Sequence, residues 1–339
     1  LETIMKIVGF RELLPATDPN ALLDLEAPNP VASGHDILVR VKAVSVNPVD
    51  TKVRGRAQPA HGEVRVLGYD AAGVVEAVGE AVTLFSPGDE VFYAGAIGRQ
   101  GSNAELQLVD ERIVGRKPKS LDYAQAAAMP LTFITAWELL FDRFGVARDG
   151  GEGQTLVIIG GAGGVGSAMI QLARKLTKLN VVASASREET RRWVQDLGAH
   201  QIFDHTKPLD QELARLGLEA PAYIACLTHS AQHFPQVVQA IAMQGKIGII
   251  EAAAELDIRP LQAKAASIHW EYMFARPQGT PDMIEQHRLL NAVADLVDQG
   301  VLRTTLTQVV GKIRAADILE AHRIVESART IGKVALEGF

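Results

Sequence analysis

Cysteine is almost missing from this chain. Cys226 stands alone among 339 residues, so no internal disulfide can form, and no CxxC pair exists for a structural zinc site or a dithiol redox centre. Excess positive charge is missing too. With 34 Lys+Arg against 40 Asp+Glu the net charge is -6, which offers no field to neutralise a phosphate backbone and excludes nucleic acid as the expected partner. A GxSxG nucleophile elbow is absent, so hydrolysis through a serine has no support. The start, Leu-Glu-Thr-Ile-Met-Lys, lacks the basic and apolar regions of a signal peptide. Met5 reads as a native start behind a vector-derived tetrapeptide, and a reducing, cytoplasmic setting is expected. Residues 153–173 carry no charge, but Gly160, Gly161, Gly163, Gly164 and Gly166 interrupt the run where a membrane helix would need its centre.

What is present is a folding composition. Hydrophobic residues make up 47% and charged residues 22%, and the length suits two domains with separate cores. The first part alternates apolar and polar residues, as in Val39, Val41 and Ala43 against Arg40 and Lys42, and reads as a β-rich domain. Further strands are expected over 72–79 and over 88–93, the latter entered through Pro87-Gly88-Asp89. From Thr155 six short apolar runs follow, at 156–159, 181–185, 201–203, 223–227, 246–251 and 268–274, with helices expected at 165–176, 188–197, 232–242 and 261–266. That alternation predicts an α/β domain with a doubly wound, six-stranded parallel Rossmann sheet. A helix at 281–298, an extended 304–310, a helix at 315–327 and a strand at 333–336 close the chain. The last strand is expected to return to the β-rich domain, giving domains 1–125 with 275–339, and 126–274.

The sharpest local signal is Gly160-Gly161-Ala162-Gly163-Gly164-Val165-Gly166, between the first of those runs and a helix. Gly161, Gly163 and Gly166 have the GxGxxG spacing of a dinucleotide site, and Gly164 and Val165 add backbone N–H groups at the helix start. At the end of the second strand, where NAD sites place an acid, the chain reads Ser184-Ala185-Ser186-Arg187. Ser186 and Arg187 suit a 2′-phosphate and predict NADPH. The alternative is that Arg187 is a surface charge and Glu188 or Glu189 takes the ribose. Thr228 and His229 follow the fourth strand at the crevice and are expected to touch the cofactor, with His233 starting the next helix. Cys226, His229 and His233 are also the only metal suspects, and a structural or ligand-edge role is the simpler reading of them.

Beyond the glycine loop, Ser45-Val46-Asn47-Pro48-Val49-Asp50, Leu67-Gly68-Tyr69-Asp70-Ala71-Ala72-Gly73, Pro87-Gly88-Asp89-Glu90-Val91 and Leu131-Thr132-Phe133-Ile134-Thr135-Ala136-Trp137 together resemble the medium-chain dehydrogenases/reductases, in their zinc-free quinone oxidoreductase branch. The resemblance spans the chain and implies that the β-rich domain is GroES-like and that the protein is a homodimer, joined through the sixth strand. In zinc-dependent members a Cys, a His and a second Cys hold the ion; here those places are Asn47, Tyr69 and Leu131, so no metal is expected. The resemblance places Asn47 and Thr135 at the nicotinamide ribose, Ile250 and Glu251 beside its ring, His205 near the adenosine phosphate and Lys333 as added charge near the cofactor.

Without a Lewis acid the acceptor must delocalise the charge that hydride addition creates, which points to a quinone or an α,β-unsaturated carbonyl. Tyr69, Asn47 and Asp70 are the expected catalytic group. Tyr69 is the preferred proton donor with water as the alternative, and Asp70 orients its neighbours. Two other readings stay open: an enoyl-thioester reductase, and a non-catalytic NADPH-binding stress protein.

Overall fold

The structure is a computed structural model that describes residues 3–339. Leu1 and Glu2, the start of the stretch read as vector-derived, lie outside the described residues. The chain divides into two units: one takes the chain up to Ile134 together with Phe274–Phe339, and the other is Thr135–Met273.

The first unit is built on strands β1 (Ile4–Phe10), β2 (Leu23–Pro28), β3 (Asp36–Val46), β4 (Arg65–Val66), β5 (Ala71–Val78), β6 (Glu90–Tyr93), β7 (Leu106–Asp110) and β8 (Val114–Arg116). Helices α1 (Pro48–Arg54) and α2 (Tyr123–Ala127) interrupt the strands and follow them, and α3 (Pro130–Trp137) comes next. In β3 the alternation holds as far as Ala43: Val39, Val41 and Ala43 are buried and Arg40 is exposed. It then lapses, because Val44, Ser45 and Val46 are all buried. There α2 and a later helix pack on the strand, so both faces are covered. The turn into β6 has Gly88 at φ +99°, a left-handed conformation that explains its glycine.

The second unit holds β9 (Thr155–Ile159), α4 (Gly164–Leu176), β10 (Asn180–Ser184), α5 (Glu188–Asp196), β11 (Gln201–Phe203), α6 (Leu209–Arg215), β12 (Tyr223–Cys226), α7 (Ser230–Ala240), β13 (Lys246–Ile249) and β14 (Ser267–Trp270). All its strand pairs are parallel, in the order β11-β10-β9-β12-β13-β14. The sheet is therefore the doubly wound, six-stranded one expected, and the order reverses beside β9, where such folds open a ligand crevice. Three details differ from expectation. The last two strands stop at Ile249 and Trp270. The segment Arg259–Lys264 is a 3-10 helix, with Pro260 in its first turn and Ala265 ending it at φ +48°. Helix α6 was not expected, because its polar residues mask a stripe whose apolar members are Leu209 and Leu213.

The chain then returns to the first unit through α8 (Ile284–Asp298), β15 (Leu306–Gly311), α9 (Ala315–Glu326) and β16 (Lys333–Glu337). Strand β16 pairs antiparallel with β3, so the sheet of the GroES-like unit runs β15-β16-β3-β5-β6-β8 with β7 also on β3. Residues 126–134 fall in this unit rather than the second, since α2 packs on β3, β5 and β16. No helix among the described residues is long and apolar enough to cross a membrane.

Candidate active site

In the second unit the chain leaves β9 through Gly160, at φ +90°, whose N–H donates to Ser184 Oγ at 2.9 Å. That bond lays the glycine loop against the end of β10. A Cβ on Gly166 would lie 2.2 Å from Gly160 O and 2.7 Å from Gly161 Cα, so this glycine is dictated by packing inside the loop. Gly163 differs. Its φ is -72°, and a Cβ there would meet Gly160 O at an ordinary 3.5 Å and no closer atom. Nothing in the protein requires glycine at this position, whereas a pyrophosphate approaching the N-terminus of α4 does. The loop is thus a cradle with one open face, and it fits a dinucleotide.

Most of the other expected cofactor residues of this unit follow the C-terminal ends of its parallel strands. Ser186 and Arg187 are half-buried beyond β10, and the Arg187 guanidinium is already paired with Glu189. Glu188 is paired with Arg192, so both acids that could have turned to a ribose are held by arginines. Thr228 adjoins the loop, its Cγ2 being 3.1 Å from where a Gly160 Cβ would stand, and its Oγ1 is 2.8 Å from His229 Nδ1. His229 sits at φ +47° ahead of α7, a conformation that costs a non-glycine residue about 1 kcal/mol or more and tends to persist at functional sites. His205 faces His233 across 6.4 Å between ring centres, and burial lowers the pKa of both. His233 lies inside α7 rather than at its start. Ile250 and Glu251 are half-buried just past β13, and Thr135 is buried.

In the first unit four side chains meet away from water. Asn47 precedes α1, Asp50 lies in its first turn, Asp70 precedes β5 and Lys333 opens β16; each is at most 3% exposed. Asp50 accepts from Asn47 N at 2.8 Å and from Gly68 N at 3.0 Å. Asp70 accepts from Leu131 N at 2.7 Å and from Asn47 Nδ2 at 2.7 Å. The Lys333 ammonium donates to Val46 O at 2.8 Å and Asn47 Oδ1 at 2.6 Å, and lies 3.1 Å from Asp70 Oδ2. These three neighbours account for its three protons. The same bonds fix the Asn47 amide, whose oxygen faces the ammonium and whose nitrogen faces the carboxylate. Desolvation pushes the Asp50 carboxyl up to about 7, raises Asp70 and lowers Lys333. Tyr69, next in sequence to Asp70, is wholly buried, with its hydroxyl 3.4 Å from Arg65 Nη2 and its ring edge-on to Phe274.

Asp50 was missing from the expected site. Its signal was available in the Asn-x-x-Asp spacing of a helix start, where the fourth residue reaches back to the first one's N–H.

The chain matches the alcohol dehydrogenase GroES-like domain family over residues 33–119 and the zinc-binding dehydrogenase family over residues 197–336. A zinc-type alcohol dehydrogenase-like protein of Staphylococcus epidermidis is 39% identical over 336 residues, covering 98% of this chain and 99% of that one. The crystal structure of a putative zinc-dependent alcohol dehydrogenase from Rhizobium etli CFN 42 is 56% identical and superposes with a TM-score of 0.97, over 100% of this chain and 99% of that one. An NADPH-dependent alkenal/one oxidoreductase of Arabidopsis thaliana is 39% identical over 186 residues, 52% of this chain and 47% of that one.

The zinc-binding family and the two zinc-type names imply that metal, and the residues here do not fit it. Leu131 has no side-chain donor atom, Tyr69 offers a phenol, and Asn47 is a neutral amide whose oxygen faces the Lys333 ammonium. Among the described residues no group of three or more His, Cys, Asp or Glu side chains could hold a metal ion.

Proposed function

The chain belongs to the medium-chain dehydrogenases/reductases, an oxidoreductase superfamily that uses nicotinamide cofactors, and from that premise we propose a zinc-independent reductase that carries hydride from NADPH to a quinone or an α,β-unsaturated carbonyl. The observation that carries the nucleotide choice is the end of β10. Ser184, Ser186 and Arg187 stand where an NAD site would place an acid, and Glu188 and Glu189 are held by arginines. A 2′-phosphate dianion meets the Ser186 hydroxyl and the Arg187 guanidinium there, the latter sharing its charge with Glu189.

Bound to this chain, the nicotinamide supplies the hydride. Gly161, Gly163 and Gly166 with the first turn of α4 take the pyrophosphate, and Ser186 and Arg187 take the 2′-phosphate. Within the second unit Thr135, Ile250 and Glu251 would orient the reactive end; within the first, Asp70 and Lys333 fix the Asn47 amide. The acceptor class follows from the donor set of the first unit. With Leu131, Tyr69 and a neutral Asn47 amide whose oxygen faces the Lys333 ammonium in place of metal ligands, a simple carbonyl would develop an alkoxide with no Lewis acid to hold it. A conjugated acceptor spreads that charge. Tyr69, whose hydroxyl lies 3.4 Å from Arg65 Nη2, would donate its phenolic proton to the oxygen of the reduced product and regain one from water admitted as the product leaves. A second copy is proposed to pair through β14, the outer strand of the sheet, where Trp270 and Tyr272 are exposed.

Steady-state oxidation of NADPH against quinones, enones and enoyl thioesters tests the reading. Turnover of the first two alone is expected. Preferential turnover of the thioesters would make it an enoyl-thioester reductase, and tight NADPH binding without any turnover would make it a binding module. Equal dissociation constants for NADH and NADPH would remove the phosphate assignment.

A further inference from the structure

Three arginines lie on or beside α5, and they are not equivalent. Arg187 is paired with Glu189 and Arg192 with Glu188, both pairs on exposed acids. Arg191, one helical turn after Arg187, pairs with no carboxylate among the described residues. Its Nη1 instead donates to the backbone oxygen of Ala185 at 3.1 Å, which folds the guanidinium back over the end of β10. Ala185 follows Ser184, whose hydroxyl accepts from Gly160 N at the head of the glycine loop. Arg191 is therefore tied to the strand end that adjoins the loop, the place where this sheet type receives the adenosine ribose. Its helix is also fixed against the loop's own helix, since Trp193 Nε1 on α5 donates to Ser167 Oγ on α4 at 2.8 Å. An arginine that is half-buried, unpaired and held at that spot by one carbonyl keeps donors free for an incoming anion.

We propose that Arg191 is the principal specificity residue for the 2′-phosphate of NADPH, with Arg187 in a supporting role. This rests on the NADPH reading above. The guanidinium gives charge-assisted hydrogen bonds to the phosphate oxygens, where its fork geometry matches the group, while Arg187 must first share itself with Glu189. NADH offers a neutral 2′-hydroxyl in place of the phosphate, which gains no charge-assisted bond from Arg191, so the residue discriminates between the two.

Dissociation constants of NADPH and NADH, measured for the unaltered protein, Arg191→Gln, Arg191→Lys and Arg187→Gln, decide the matter. Arg191→Gln is expected to weaken NADPH about ten- to a hundredfold and leave NADH unchanged. Arg191→Lys should recover part of the loss, and Arg187→Gln should cost less than Arg191→Gln. An equal loss for both nucleotides would mean that Arg191 only supports α5, and an unchanged NADPH to NADH ratio would overturn the assignment. If the unaltered protein does not discriminate between the two, the NADPH reading itself falls, and the assignment with it; that is visible before any variant is made.

Discussion

Two glycines of one loop should respond in opposite ways to the same substitution. In Gly166→Ala the new methyl would sit 2.2 Å from Gly160 O, more than 1 Å inside normal contact. The atoms it meets are backbone, so the loop must move, and the expected cost is about 3 kcal/mol, or roughly 5 to 10 °C in Tm. In Gly163→Ala the backbone, at φ -72° and ψ 173°, already suits alanine, and the nearest atom stands at 3.5 Å. Losing glycine's freedom in the unfolded chain should make that variant more stable by about 0.5 kcal/mol. Its methyl, however, projects from the open face of the cradle, and NADPH affinity should fall about tenfold or more, a loss of at least about 1.4 kcal/mol. Thermal unfolding without nucleotide and titration with NADPH separate the two effects. Gly163→Ala binding NADPH as tightly as the parent, or Gly166→Ala keeping its Tm, would refute these roles for the two glycines.

Removing the ammonium in Lys333→Met leaves Asp70 buried without its cation and should cost about 3 to 5 kcal/mol in urea unfolding. Adding Asp70→Asn should restore part of that loss; an unchanged midpoint for the single variant would show that the ammonium is dispensable. His322, buried against Arg54 Nε at 3.1 Å, has its pKa pushed from 6.5 down to about 3 by desolvation and the guanidinium. The unfolded chain takes up a proton below 6.5 that the folded chain refuses, so the residue's contribution is complete above that pH and is lost as pH falls toward 3. The stability gap between the parent and His322→Gln should accordingly narrow between about pH 7.5 and about pH 5, and a constant gap would contradict it. Tyr69→Phe should lower kcat for a quinone by about tenfold or more without altering NADPH affinity; equal turnover would assign the proton to water.

Most of the second unit could be read from the sequence because parallel strands buried on both faces are short apolar runs, and a glycine loop fixes where the series begins. The misread elements share a cause, which is that periodicity fails over one or two turns. Helix α6 presents just Leu209 and Leu213 to the core, and Arg259–Lys264 mixes Pro260 with polar residues. In the site, contiguous motifs such as Gly161, Gly163 and Gly166 declared themselves. The cluster of Asn47, Asp50, Asp70 and Lys333 did not, because it exists only once β16 returns to β3 and brings the end of the chain to α1. Lys333 was expected as a charge for the cofactor, and the structure places it as the counter-ion of Asp70, with its protons shared among Val46, Asn47 and Asp70. Arg191 escaped notice because its significance lies in having no acidic partner, which composition and spacing do not reveal.

The central claim is that this donor set reduces a conjugated acceptor with no ion in place of the family's zinc. Metal content and NADPH-dependent enone turnover, measured on the same protein before and after exhaustive chelation, address it most directly. The account predicts sub-stoichiometric zinc at the outset and an unchanged rate afterwards; one tightly held zinc per chain, with activity lost on its removal and regained on its return, would contradict it.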